Sequence, residues 1–398
     1  MSTAWTSRYA LRTKGVTSSQ IRELLKVIQR PGIISFGGGL PAPDVFPTQR
    51  FEAACHKVLT EQAPLALQYG ETEGYKPLRE LLANNMSRYG IKAKVDNVLI
   101  TSGSQQALDL IGKLFINAGD RVLVEAPTYL GALQAFNVYG AEYVSVPIDE
   151  NGLRTDLLEK PLRSGPKFMY VLPNFQNPAG TTLSERRRHE LVLLAEKYGI
   201  PIIEDDPYGQ LRYEGEHLPP LVVLDRENVR RDDGYSIGNV IYLSTFSKTL
   251  APGLRLGWIV APPALMADLG KLIEYNTSCS PVFVQRAGVA AIRDGEPSVV
   301  HTVKRFRAAR ALLVDELASI EGVEAALPAG AMYVFFRVAG VTDSLAFCKR
   351  LVREARLGLA PGSAFGPEGE AFLRWCFASS PERLRDGVGR LRGFLSRR

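Results

Sequence analysis

Val240-Ile241-Tyr242-Leu243-Ser244-Thr245-Phe246-Ser247-Lys248-Thr249-Leu250-Ala251-Pro252-Gly253-Leu254-Arg255 joins an apolar run to a loop of hydroxyls and cations. Its first four residues do not alternate apolar with polar, so a strand here is buried on both faces. The same pattern recurs on either side. Upstream, Val98-Leu99-Ile100-Thr101 runs into Ser102-Gly103, and Gln105 to Phe115 then carries Leu108, Ile111, Leu114 and Phe115 at helical spacing. Arg121-Val122-Leu123-Val124, Phe168-Met169-Tyr170-Val171-Leu172 and Ile202-Ile203-Glu204 are further apolar runs, and Trp258-Ile259-Val260 lies just downstream. Doubly buried strands alternating with helical patterns predict an α/β domain whose sheet is mainly parallel and flanked by helices.

The two ends read differently. Before residue 48 there is one helical pattern around Ile21–Ile28, then the Gly/Pro-rich Phe36-Gly37-Gly38-Gly39-Leu40-Pro41-Ala42-Pro43. After about 285, long helical patterns mix with strand candidates at Val334-Phe335-Phe336 and Leu373-Arg374-Trp375-Cys376-Phe377. Leu384, Val388, Leu391 and Leu395 mark an amphipathic helix. The expected organisation is a large domain over 48–285 and a smaller α/β domain built from 1–47 and 286–398, with a ligand cleft between them.

Composition narrows the function. A formal charge of +6 is spread over 398 residues without a basic block, which argues against nucleic-acid binding. Cys55, Cys279, Cys348 and Cys376 form no CxxC pair and the histidines no HExxH, so no metal site is expected. Met1-Ser2-Thr3-Ala4-Trp5 lacks an apolar signal core, and no run is long enough to span a bilayer. A cytoplasmic protein acting on small molecules is the expectation.

The chemistry gathers where strands end, because open α/β sheets bind ligands there. Lys248 could form an imine with an aldehyde cofactor, and Arg255, seven residues on, could pair with its phosphate. A solvated loop lysine and a surface arginine fit the string equally well. Ser102-Gly103-Ser104-Gln105 opens a helix, and free N–H groups there suit an anion; a plain serine cap is the simpler alternative. Glu204-Asp205-Asp206 ends an apolar strand, where a buried acid needs a cationic partner, although two of the three could face water. Pro173-Asn174-Phe175-Gln176-Asn177-Pro178-Ala179-Gly180 reads as a turn. Tyr129 could stack on a flat ring or sit in the core. Leu373, Trp375 and Phe377 share one strand face, leaving Arg374 on the other, half-buried and in need of an anion or a structural carboxylate.

Taken together, these segments resemble the fold-type I, pyridoxal-phosphate (PLP) dependent aminotransferases of class I, over almost the whole chain and in the same order. Within them the chain is most similar to the 2-aminoadipate group, which includes kynurenine/aminoadipate and broad-specificity transaminases. The strings that carry this likeness are Thr17-Ser18-Ser19-Gln20-Ile21-Arg22-Glu23-Leu24-Leu25, Gly38-Gly39-Leu40-Pro41-Ala42-Pro43, Leu67-Gln68-Tyr69-Gly70 and Phe175-Gln176-Asn177-Pro178. The resemblance implies that Lys248 is the Schiff-base lysine and proton shuttle, and that Asp205 pairs with the pyridine nitrogen. It implies that Asn177 and Tyr208 hydrogen-bond the phenolic oxygen, and that Tyr129 stacks on the ring. Ser104, Gln105, Thr245, Ser247 and Arg255 would hold the phosphate. Tyr69 would reach the phosphate of a neighbouring subunit, which implies a homodimer with shared sites. Arg374, helped by the Gly39 backbone and Asn177, would take the substrate's α-carboxylate.

Arg22 bears on specificity. A cation in the first turn of a helix beginning near Ser18 or Ser19 opposes the helix dipole, which Glu23 could offset for a merely exposed arginine. In the resembled group, an arginine here meets the distal carboxylate of acidic substrates. The implied reaction is ping-pong transamination between an L-amino acid and a 2-oxo acid, with 2-oxoglutarate the expected acceptor. Candidate donors are 2-aminoadipate, branched-chain or aromatic amino acids. C–S β-elimination on the same scaffold is the rival chemistry. A PLP-sensing transcription factor is disfavoured because the resemblance begins by about residue 5, leaving no room for a DNA-binding segment. The intact set of Lys248, Asp205, Asn177, Tyr208 and Arg255 argues against an inactive homologue. Thr245 where serine is more usual, Trp375-Cys376, and Tyr275-Asn276-Thr277-Ser278-Cys279-Ser280-Pro281 depart from the group and leave the substrate open.

Overall fold

The computed structural model describes residues 5–16, 32–228, 238–293 and 296–397. In chain order its strands are β1 (Ile34–Ser35), β2 (Val98–Thr101), β3 (Arg121–Ala126), β4 (Glu142–Asp149), β5 (Gly152–Leu153), β6 (Met169–Val171), β7 (Ile202–Asp205), β8 (Val240–Thr245) and β9 (Gly257–Val260), then β10 (Val323–Ala325), β11 (Tyr333–Val338), β12 (Leu357–Gly358), β13 (Ala360–Pro361) and β14 (Phe372–Cys376). Every apolar run between residues 98 and 260 read as a strand in the sequence is one, and those runs join in a single sheet of order β2-β9-β8-β7-β6-β3-β4-β5. The steps from β8 through β7, β6 and β3 to β4 are parallel. The reversed strand β9 runs antiparallel to both β2 and β8, so β2 points the same way as β8. The C-terminal ends of β2, β3, β6, β7 and β8 therefore share one edge.

The absence of alternation in these strands has its cause in two cores. Leu99, Val122, Tyr170, Ile203, Ile241 and Ile259 face one core, with Leu108 and Ile111 of the helix Ser104–Phe115, Phe136 of Leu130–Asn137, and Leu269 of Pro263–Thr277. Their chain neighbours Val98, Leu123, Met169, Ile202, Val240 and Trp258 face the other, with Leu82 of Lys76–Ser87, Val192 of Glu185–Tyr198 and Leu224 of Leu221–Asn228. Successive strand residues point to opposite faces, so both parities must be apolar.

A second, antiparallel sheet of order β10-β11-β14-β13 forms from the C-terminal part of the chain. The helices Glu296–Ala318 and Pro381–Leu395 pack on one another beside it. The tail helix buries Leu384, Val388 and Leu391, the stripe its sequence announces. β1 pairs in parallel with β12, which ties the segment before residue 48 to this C-terminal part. It also brings the Gly37-Gly38-Gly39 backbone towards the edge where the large sheet's strands end.

Candidate active site

The three acids at the end of β7 have separate fates, and none faces water. Glu204 accepts the backbone N–H groups of Leu221 (2.9 Å) and Val222 (3.0 Å), the first residues of the helix Leu221–Asn228. Asp206 accepts Asn174 Nδ2 at 3.0 Å, the Gly209 N–H at 2.9 Å and the Tyr242 hydroxyl at 3.1 Å. These donors permit the burial that the sequence reading reserved for one acid alone. Asp205 lines the cavity at the sheet's end. Its Oδ2 accepts the Tyr170 hydroxyl at 2.7 Å, while Oδ1 is buried with no partner among the described residues. Burial pushes the Asp205 carboxyl up to about 7, against the smaller pull of the Tyr170 bond.

An anion cradle closes the opposite end. Gly103 (φ +82°) precedes the helix Ser104–Phe115, and a Cβ there would lie 2.5 Å from Nη2 of Arg255. Gly257 presses as closely on the Gly103 backbone. The two glycines let Arg255 lie across the helix N-terminus, where it donates to the carbonyls of Ser102 (3.0 Å) and Pro252 (3.1 Å). Thr245 Oγ1 donates to the Leu256 carbonyl at 2.9 Å and lies 2.9 Å from Ser247 Oγ. A guanidinium and hydroxyls beside a helix N-terminus are groups that suit an anion.

Between these ends, Lys248 Nζ donates to the Gly39 carbonyl at 3.2 Å. Arg374 is buried rather than half-buried, and neutral acceptors hold it: Asn177 Oδ1 at 2.7 Å and the Gly37 carbonyl at 2.9 Å. The rings of Tyr333 and Phe365 lie 4.3 and 4.7 Å from its guanidinium carbon. Asn177 Nδ2 donates to the Tyr208 hydroxyl at 3.3 Å, and burial keeps that hydroxyl protonated far above the ordinary tyrosine range. The Tyr129 ring folds over Gly131, where a Cβ would meet it at 2.5 Å; burial raises its hydroxyl to about 12.

One cavity of about 550 Å³ is lined by Lys248, Asp205, Tyr208, Asn177, Tyr129 and Arg374, and also by Ser104, Gln105, Thr245, Ser247, Arg255 and Gly39. Gln105 also donates to the Gly131 carbonyl at 2.8 Å. Tyr69 is exposed and outside the cavity, and Arg22 lies outside the described residues. Sequence reasoning missed Tyr170 and Tyr333. Tyr170 sits inside an apolar run and reads as core; its signal is that a buried acid on the neighbouring strand needs a donor. Tyr333 has no local signal. Buried Arg188 was also overlooked: it donates to the Pro173 and Leu183 carbonyls and to Asn174 Oδ1, fixing the loop that carries Asn177.

Residues 42–391 match the family model for aminotransferase class I and II. The chain belongs to that family. The aminotransferase is 39% identical to an aromatic-amino-acid aminotransferase of Thermococcus litoralis, over 96% of this chain and 93% of that one. It is 37% identical to a 2-aminoadipate transaminase of Thermus thermophilus, over 98% and 96%. A solved α-aminoadipate aminotransferase from Thermus thermophilus, complexed with N-(5'-phosphopyridoxyl)-L-leucine, superposes with a TM-score of 0.90 at 35% identity, covering 99% of this chain and 98% of that one. A Pyrococcus horikoshii kynurenine aminotransferase superposes at 0.91 and 36% identity, with the same coverage.

The cofactor of this aminotransferase is pyridoxal phosphate, and the cavity fits it. The partnerless Asp205 Oδ1 suits the protonated pyridine nitrogen, since a carboxylate this deep requires a cation or a donor. The Gly103–Arg255 end suits the phosphate, and Lys248 lines the same cavity.

Proposed function

We propose that the aminotransferase moves an amino group between an L-amino acid and a 2-oxo acid, with 2-oxoglutarate as acceptor and 2-aminoadipate, branched-chain or aromatic amino acids as donors. The observation that carries this reading is the meeting in one cavity of Lys248, the Asp205 oxygen without a partner among the described residues, and Arg374 held by Asn177 Oδ1 and the Gly37 carbonyl. Pyridoxal phosphate, when bound, supplies a sink for the electron pair released at the substrate's α-carbon. In this reading Asp205 holds the proton on the pyridine nitrogen, and Asn177 and Tyr208 hydrogen-bond the phenolic oxygen. Ser104, Gln105, Thr245, Ser247 and Arg255 anchor the phosphate, and Tyr129 covers the ring. Arg374 takes the α-carboxylate in both half-reactions, which orients the α-proton towards Lys248, the base that removes and returns it. The aromatic pair around Arg374 limits its motion, which supports a fixed role rather than one that moves with the substrate.

The cations lining the described cavity are Lys248, Arg255 and Arg374, and each already has a task in this scheme. The resemblance, not the described cavity, assigns the reading of a second, distal carboxylate to Arg22. A homodimer completes the reading. Leu65, Leu67 and Tyr69 are 61, 73 and 81% exposed, an apolar run that a second copy would cover.

A panel of amino donors against 2-oxoglutarate and pyruvate tests the function, with Lys248→Ala as the control. Amino transfer from at least one proposed donor, abolished in the variant, is expected. Release of pyruvate and ammonia from cystathionine, with no transfer to any 2-oxo acid, would overturn the proposal.

A further inference from the structure

Tyr333 opens β11, opposite Cys376 of β14, and is buried. It touches more of the cavity's working residues than its position in the sequence suggests. Its hydroxyl lies 3.2 Å from the Tyr208 hydroxyl, and the two rings meet edge to face with centroids 5.8 Å apart. Its ring supports the Arg374 guanidinium at 4.3 Å. A Cβ on Gly39 would stand 2.7 Å from its hydroxyl oxygen, so glycine at 39 makes room for that hydroxyl. The same Gly39 accepts Lys248 Nζ.

A hydroxyl has one proton and two acceptor sites. The Tyr208 oxygen already accepts Asn177 Nδ2. If Tyr333 also donates to it, both acceptor sites are filled and the Tyr208 proton is left to point into the cavity. Accepting two hydrogen bonds makes Tyr208 a stronger donor, because polarisation runs along the chain. The other titratable or charged groups on the cavity walls are Tyr129, Asp205, Lys248, Arg255 and Arg374.

We infer that Tyr333 is a positioning residue with two separable parts: its hydroxyl directs the Tyr208 proton at the cofactor's phenolic oxygen, and its ring holds Arg374 flat for the substrate carboxylate. The inference rests on the site roles proposed above. The hydroxyl part acts on the cofactor and the ring part on the substrate, so two variants separate them. Tyr333→Phe removes the hydroxyl and keeps the ring. Tyr333→Leu removes both.

The first readout is the pH midpoint of the visible absorption of the PLP-loaded protein. A weaker donor at the phenolic oxygen leaves more negative charge on it, which favours the protonated chromophore. Tyr333→Phe should therefore move the midpoint upward by about half a pH unit. The second readout is the amino-acid concentration that half-saturates the single-turnover half-reaction. It should stay put in Tyr333→Phe and rise roughly three- to thirtyfold in Tyr333→Leu, the range for losing a desolvated cation–ring contact. Tyr208→Phe serves as the reference. If it shifts the midpoint and Tyr333→Phe does not, the inference fails while the site reading stands. If neither shifts it, the proposed role of Tyr208 fails and takes the inference with it. Should Tyr333→Leu not fold, the Tyr333→Phe comparison still decides the hydroxyl's part; a half-saturation raised in Tyr333→Phe itself would refute the separation.

Discussion

Asp205 gives the sharpest test at the scale of one residue. Its carboxyl is raised from 3.8 to about 7 by burial, so the folded apoprotein keeps a proton that the unfolded chain releases. That contribution is fully present below the unfolded value and is lost as pH climbs through about 7. Glu204 and Glu125 move the same way, to about 7 and about 8, so the total pH dependence does not isolate Asp205. A difference between variants does. Apo Asp205→Asn keeps an acceptor for Tyr170 and has no charge to bury. It should match wild type near pH 4 and exceed it at pH 8 by on the order of 1–4 kcal/mol, while its PLP affinity falls. Chemical denaturation at the two pH values measures this; a stability difference that ignores pH would show that the Asp205 charge is satisfied without the cofactor. Arg22 is tested by stopped-flow half-reactions. Arg22→Ala should lower kcat/KM for glutamate about ten- to a hundredfold, the worth of a hydrogen bond to a charged group, roughly 1–3 kcal/mol, and leave leucine nearly unchanged. Equal losses would move acidic-substrate recognition elsewhere. Residue types at strand ends made Lys248 and Asp205 legible, and the alternation along β14 did the same for Arg374. Tyr333 was not, because its hydroxyl partner Tyr208 is 125 residues away, in the loop that follows β7 of the other sheet.

The junction of β2 with the helix Ser104–Phe115 works as a unit. Gly103 is required twice over, by its φ of +82° and by the Arg255 guanidinium that lies where a side chain would be. Gly103→Ala should displace Arg255 and weaken PLP binding at least roughly tenfold, with backbone strain costing about 1–3 kcal/mol of stability. Pyridoxal, which lacks the phosphate, should bind the variant nearly as well as it binds wild type. Equilibrium dialysis of both compounds checks this, and an equal loss for the two would mean that the whole sheet edge had shifted. The same elements show why sequence patterns succeed or fail. β2, β6, β7, β8 and β9 are buried at every residue, and a doubly buried strand is a plain apolar run. β4 was not read from the sequence. It lies towards the sheet's edge next to the two-residue β5, is exposed or half-exposed at every residue but Val146, and contains Pro147. Its mixed composition carries no period strong enough to distinguish it from a loop.

At the scale of the whole molecule, Tyr69 is the residue that a single chain leaves unexplained. Its string, Leu67-Gln68-Tyr69-Gly70, is one of those that carry the family resemblance, yet the side chain is 81% exposed and outside the cavity. The sequence announced this conflict only through resemblance, since nothing in the local pattern says that a site borrows a residue from a second copy. If the borrowing is real, two defective chains should repair one another. A dimer pairing Lys248→Ala with Tyr69→Ala has one site that lacks both groups and one that has both. In a two-fold assembly with random pairing, an equimolar mixture after subunit exchange should regain roughly a quarter of the wild-type sites, although Lys248→Ala alone is inactive and Tyr69→Ala alone is impaired. If Tyr69 served its own chain, every hybrid site would still lack one group. The mixture would then show only the average of its parents, and measuring activity before and after exchange separates the two outcomes.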